Sequence, residues 1–326
     1  MPDPVIHPSA STRSTATLLL LLVTACWGVS FPLVRGLSLA QQQSVPGVGT
    51  WCLTSWGLVL RFALAAVVIG WWCRRELTKP TAAEWQQGIG LGLFTAGGML
   101  LQMDGLSYTA ASTSAFLTQC YAVWIPIVAA CRSRVAPELR VVLSVITVLI
   151  GVAILSGLDP RHLTIGRGEL ETIGCSVVYT VQILLAERPA YAANRVGLIT
   201  VMSFAVATVA FIPVVVVSAP SVEVLWQLYA DPRYLLILSV LAIVSTGIGM
   251  LLMFRWQREV GATAAAIIYC TEPVFATLFA VVLPGLLAPW LCIAYANETF
   301  TSTLLLGGGL IFAANVAMQW RIKRPA

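Results

Sequence analysis

The chain has 326 residues, of which 58% are hydrophobic and 10% charged, and its mean hydropathy is +0.87. So little polar surface cannot cover a globule in water, and the chain is expected to be solvated by lipid. The net charge of +5 does not indicate nucleic acid, because the basic residues lie in short clusters between apolar runs, where they read as membrane-flanking charge.

Residues 1–15 are polar, rich in Ser, Thr and Pro, and read as a disordered cytoplasmic tail. A signal peptide is the competing reading of the N-terminus, but the apolar run continues through Trp27 and Phe31 with no convincing small-residue cleavage site. A helix needs about 20 apolar residues to cross the hydrocarbon core. Ten runs of that kind follow, at 16–37, 52–73, 85–107, 109–131, 139–157, 170–187, 197–218, 234–256, 262–284 and 303–320. Tight hairpins are expected around Ser107 and Tyr108 and across Arg255 to Gly261. The longest external loop is 285–302, and its Asn297-Glu298-Thr299 fits a glycosylation acceptor, a triplet that chance also supplies. Residues 321–326 form a basic cytoplasmic tail.

With the N-terminus cytoplasmic, the inside set holds Arg13, Arg74, Arg75, Lys79, Arg132, Arg134, Arg140, Arg188, Arg195, Arg255, Arg258, Arg321, Lys323 and Arg324, most of the 19 basic residues. That bias puts both termini in the cytoplasm, N-in and C-in, and supports an even number of spans. Eight cysteines are scattered, mostly within apolar segments, without a CxxC pair, and read as buried free thiols. No cofactor or metal is indicated, and the oligomeric state is not legible.

Sliding the chain on itself by 151 positions aligns Ala111-Ser112 with Ala262-Thr263, Ala115 with Ala266, and Tyr121 with Glu272. Small residues there let backbones approach closely, which is what packs helices in lipid. Five spans per half is an odd number, so the second half is expected upside down relative to the first, and two such halves can rock around one central site.

The run Ala25-Cys26-Trp27-Gly28-Val29-Ser30-Phe31-Pro32 resembles the opening helix of EamA-type members of the drug/metabolite transporter superfamily. Arg61-Phe62-Ala63-Leu64-Ala65-Ala66 resembles their second span, and Gly261 to Ala266 followed by Glu272-Pro273-Val274-Phe275-Ala276 their ninth. The likeness covers about 16–320 in two tandem copies, 16–157 and 158–320. It departs at Tyr121-Ala122, where the proline is displaced to Pro126, and at Ser176 to Val178, where a Trp is often found. The resemblance implies an all-α integral membrane protein with ten transmembrane helices in two inverted five-helix repeats. It further implies a carrier of small polar or amphipathic, amino-acid-like metabolites, commonly outward, in a plasma membrane such as the bacterial inner membrane.

Ionisable side chains inside a bilayer are costly, and each one that remains is a candidate for function. Glu272, beside Pro273, has two readings: a substrate or proton site, or a protonated or Arg-paired carboxyl that locks helices together. Arg61 and Arg35 read first as side chains snorkelling to the interface, Asp104 and Gln102 as interfacially hydrated, and Glu187-Arg188 as a solvated helix end. Trp27, Ser30 and Phe31 in the first span, Gln119 and Tyr121 in the fourth, Tyr179 and Gln182 in the sixth, and Tyr269 and Glu272 in the ninth are the substrate-binding candidates. Spans one and six, and four and nine, are equivalent under the repeat, so these groups can converge at the midplane. Each taken singly is also an ordinary packing residue. A primary pump lacks its GxxxxGK[ST] loop here. An enzyme acting on a lipid or isoprenoid is the alternative, but His7 and His162 are the only histidines and lie outside the spans.

Overall fold

Lipid offers no hydrogen bonds, so a spanning backbone must satisfy its own amides, and helices do so within one segment. The computed structural model describes residues 10–105, 108, 111–155, 165–299 and 301–319, and helices build it throughout, with no strand among the described residues. In chain order these are α1 (Ala10–Gly28), α2 (Ser30–Ser44), α3 (Thr50–Trp72), α4 (Ala82–Gly105), α5 (Ala111–Thr118), α6 (Tyr121–Ser133), α7 (Leu139–Leu155) and α8 (Arg167–Ala186). There follow α9 (Val196–Ser218), α10 (Val222–Gln227), α11 (Pro232–Val240), a π-helical stretch (Leu241–Ile248), α12 (Gly249–Val260), α13 (Ala262–Tyr269), α14 (Glu272–Ala280), α15 (Leu283–Leu291) and α16 (Ser302–Gln319).

Among the described residues, six helical segments are long and apolar enough to cross a membrane: Ser11–Ser44, Thr50–Trp72, Arg167–Ala186, Val196–Ser218, Pro232–Val260 and Ala262–Ala280. Leu139–Leu155 and Ser302–Met318 are apolar but shorter. Large apolar side chains such as Leu18, Val67, Leu143, Val216 and Leu306 stand exposed on the outside of the bundle. In water that surface would aggregate, and in lipid it is the ordinary outer face.

Three expectations are corrected by these bounds. The polar tail does not extend to residue 15: α1 begins at Ala10, and Thr15 and Thr17 turn their hydroxyls back to the Ser11 and Arg13 carbonyls, which lets them sit in a helix. The stretch 285–302 is not all loop. Pro284 falls in the first turn of α15, where its missing amide costs nothing, and Leu287 and Leu291 bury that helix against α2. Asn297 accepts the Gly285 amide at 2.5 Å, which holds the following extended segment back on α15. The turn between α12 and α13 is confined to Gly261, whose φ of +83° a side chain would strain, so Arg255 to Val260 stay helical. Residues Ser107, Arg161 and His162 and the tail 321–326 lie outside the described residues.

The packing reads the same from either half. Helix α3 lies along α9, and α7 along α16, while α4 lies against α8 as α12 lies against α1. At the α7–α16 crossing Gly151 and Gly307 face each other so closely that a Cβ on Gly151 would stand 2.8 Å from the Gly307 carbonyl oxygen. Such small-residue contacts replace the hydrophobic drive that is missing between helices in lipid.

Candidate functional site

Irregular backbone collects at the centre of the bundle. Pro32 has no amide to give the Gly28 carbonyl, and Pro273 none for Tyr269, and α1 ends at Gly28 as α13 ends at Tyr269. Helix α5 stops at Thr118 and α6 starts at Tyr121 without a proline at 122, so that break has another origin. In the 151-residue register the two breaks coincide: Ala111–Thr118 answers to Ala262–Tyr269, and Tyr121 to Glu272 as the first residue after each break. The π-helical stretch adds a wide turn of the kind that recurs at functional sites.

Among these breaks lies a cavity with about 100 Å³ of space for water-sized occupants, room for several waters. Trp27, Ser30, Phe31, Tyr121, Tyr179, Gln182, Tyr269 and Glu272 all line it, so eight of the nine substrate-binding candidates are brought together. Gln119 is not on the wall. It stands behind it, 2% exposed, accepting the Tyr121 hydroxyl and within hydrogen-bonding reach of the Glu272 carboxyl.

The wall is quasi-symmetric in ways the polar residues alone do not reveal. Thr95 and Thr246 both line it and stand 151 positions apart, as do Met99 and Met250, and Gln102 and Met253. Gly98 and Gly249 share that register, and each receives an aromatic ring from the other half. A Cβ on Gly98 would collide with the ring of Tyr179. One on Gly249 would stand 2.9 Å from Trp27 Nε1. Tyr179 donates its hydroxyl to Gln102 Oε1 at 3.0 Å, Gln182 donates to Thr95 Oγ1 at 3.0 Å, and the Trp27 and Tyr269 rings lie 5.3 Å apart. Aromatic bodies with polar tips, interleaved with methionine, suit an occupant that is part apolar and part polar.

Arg61 also lines this cavity, 4% exposed, and so does not snorkel. Its Nε donates to Thr246 Oγ1 at 2.5 Å and its Nη2 to Ser245 Oγ at 2.9 Å. Arg61 and Met103 belong as well to a second cavity of about 80 Å³, which continues between α2, α3 and α11 past Gln41, Thr54 and Tyr229. Arg35, in contrast, is exposed, as a snorkelling side chain would be.

Away from the second cavity, side chains tie the helices to one another. Tyr269 donates to Gln257 Oε1, and Gln257 in turn donates to the Ile183 carbonyl at 2.7 Å. Gln87 and Arg258 donate to carbonyls at the end of α8, and Glu187 accepts the Ala262 amide, so Glu187 is a tie between α8 and α13 and not a free helix end. Beyond them Arg195 grips Glu84 through Nε and Nη2 at 2.7 and 2.8 Å and also donates to the Glu76 and Lys79 carbonyls and to Thr78. The Arg195 guanidinium holds the Glu84 carboxyl well below the usual carboxylate range. At the other end Asp104 is 1% exposed, paired with Arg167 at 2.6 Å, and Thr50 donates to it at 3.0 Å. Asp104 and Gln102 are therefore not hydrated at an interface: one is an ion-pair partner and the other is cavity wall.

Thr95, Met99, Met103, Ser245, Thr246, Met250 and Met253 are among the lining residues that hydropathy and polarity leave unmarked. The signal for several of them was the repeat itself, since Thr95/Thr246 and Met99/Met250 match in the same 151-residue register.

The model of the EamA-like transporter family matches the chain twice, over residues 14–157 and 172–318. A protein of Archaeoglobus fulgidus described as an uncharacterized transporter is 25% identical over 311 residues, covering 95% of this chain and 87% of its own. A solved crystal structure with 20% identity superposes with a TM-score of 0.66 over 94% of this chain and 97% of that one, a likeness of fold. With most of its length matched by two copies of one family model, the chain belongs to the EamA-like transporter family.

Proposed function

We propose that the chain is a secondary carrier of ten spans in two inverted five-helix halves, with both termini cytoplasmic, that moves small amino-acid-like metabolites outward across a plasma membrane by alternating access. The observation that carries this reading is the wall shared by both halves. Thr95 and Met99 from one half face the cavity together with their counterparts Thr246 and Met250 from the other, and Trp27 and Tyr179 reach across the seam onto Gly249 and Gly98. A site made by two related halves opens to one side or the other as the halves rock, and broken helices at its edge are the common construction of such sites. The apolar walls and the few polar tips match a small amphipathic solute. In this reading the tied end of the bundle is the cytoplasmic gate, and Glu272 is the group that can carry a proton.

The test is counterflow in proteoliposomes holding the purified protein. Saturable uptake of a labelled amino acid, stimulated by unlabelled amino acid inside, is the expected result. Chemical turnover of a solute without flux would overturn the reading.

A further inference from the structure

Arg61 is a cavity group whose chemistry the paired walls do not explain. Its register partner is Ile212, 45% exposed on the outer face, and the partner of Glu272 is Tyr121, so neither charge belongs to the scaffold that the two halves share. Among the described residues no Asp or Glu forms an ion pair with Arg61. Glu272 sits with Gln119 instead. Guanidinium carries five N–H donors in a rigid fork suited to a planar anion. Ser245 and Thr246, on the π-helical stretch, take two of its nitrogens and fix the plane without neutralising it. Arg61 lines both cavities. A buried cation left unneutralised is costly, and the cost is recovered when an anion arrives.

We propose that Arg61 is the anion subsite of the transport cavity, and that it takes the carboxylate of a zwitterionic solute whose ammonium faces Glu272. The proposal rests on the carrier reading above and adds to it the residue that takes the carboxylate of the solute. Trp27, Phe31, Met99 and Met250 line the same cavity as the two charges, and such walls suit a solute with an apolar side chain.

The experiment compares four amino acids, valine, leucine, phenylalanine and tyrosine, with isobutylamine, isopentylamine, phenethylamine and tyramine, which lack only the carboxylate. Proteoliposomes of wild type, Arg61→Met and Arg61→Lys are loaded with both sets, efflux is read by mass spectrometry, and protein-free leakage is subtracted. Wild type is expected to release the amino acids in preference to the amines. Arg61→Met is expected to lower the ratio of amino acid to amine flux by at least about tenfold, since it leaves a carboxylate unpaired. Arg61→Lys keeps the charge without the fork, and is expected to raise the half-saturation for amino acids more than for amines. It carries the test where Arg61→Met yields no monodisperse protein. Equal loss of both classes in these variants marks a structural arginine and overturns the proposal. Wild-type flux of amines alone also overturns it while the carrier reading stands, and wild-type flux of neither class overturns both.

Discussion

Glu272 shows how far a single residue can be read. A carboxyl at the first position after a helix break, on the wall of a cavity, either exchanges a proton in the cycle or braces α14 through Gln119. Glu272→Gln separates the two, because Gln keeps the size and hydrogen bonds but cannot change charge. Loss of pH-gradient-driven flux with exchange retained is the expected result, and undiminished driven flux would exclude the proton role. Glu84 offers a test outside the cavity. Because Arg195 depresses its folded-state pKa, Glu84 contributes stability that is present above the unfolded value of about 4.3 and is lost as pH falls below it. Glu84→Gln should lower the melting temperature by several degrees at neutral pH, with the difference from wild type shrinking in melts near pH 3. The polar and aromatic members of the wall were legible because such side chains rarely lie at membrane depth without a reason. Arg61 was misread because one sequence gives depth only to within several residues, and hydration draws most arginines to the interface. Asp104 was misread because its partner, Arg167, is 63 positions away on another helix.

At the scale of the element, breaks matter as much as spans. Pro32 and Pro273 announce two of them, since a missing amide ends a helix four residues earlier. The break between α5 and α6 has no such marker, and only the repeat register points to it. Helices occupy the apolar stretches read from hydropathy, but α10 and α15 were missed, because short, half-exposed helices carry little periodicity. Where helices meet through glycine, the contact is testable. Gly307→Leu would drive a side chain into the Gly151 carbonyl and Leu155, neither of which lines the cavity. The expected outcome is poor thermal stability in detergent, with an unchanged half-saturation in whatever protein reaches the membrane. A melting curve like that of wild type would show that α7 and α16 part without cost.

The whole molecule is two related halves around one wall. Composition and the 151-residue register made that plan legible, whereas the seam contacts of Trp27 on Gly249 and Tyr179 on Gly98 needed three dimensions. The plan predicts a site that both faces of the membrane can reach in turn. The most direct measurement places a single cysteine at Thr95 or Met250 in protein whose eight native cysteines have been replaced, and treats it with a membrane-impermeant thiol reagent from either side of oriented vesicles. Labelling from both sides, slowed by transported solute, is the predicted result, and labelling from one side only, unaffected by solute, would contradict alternating access.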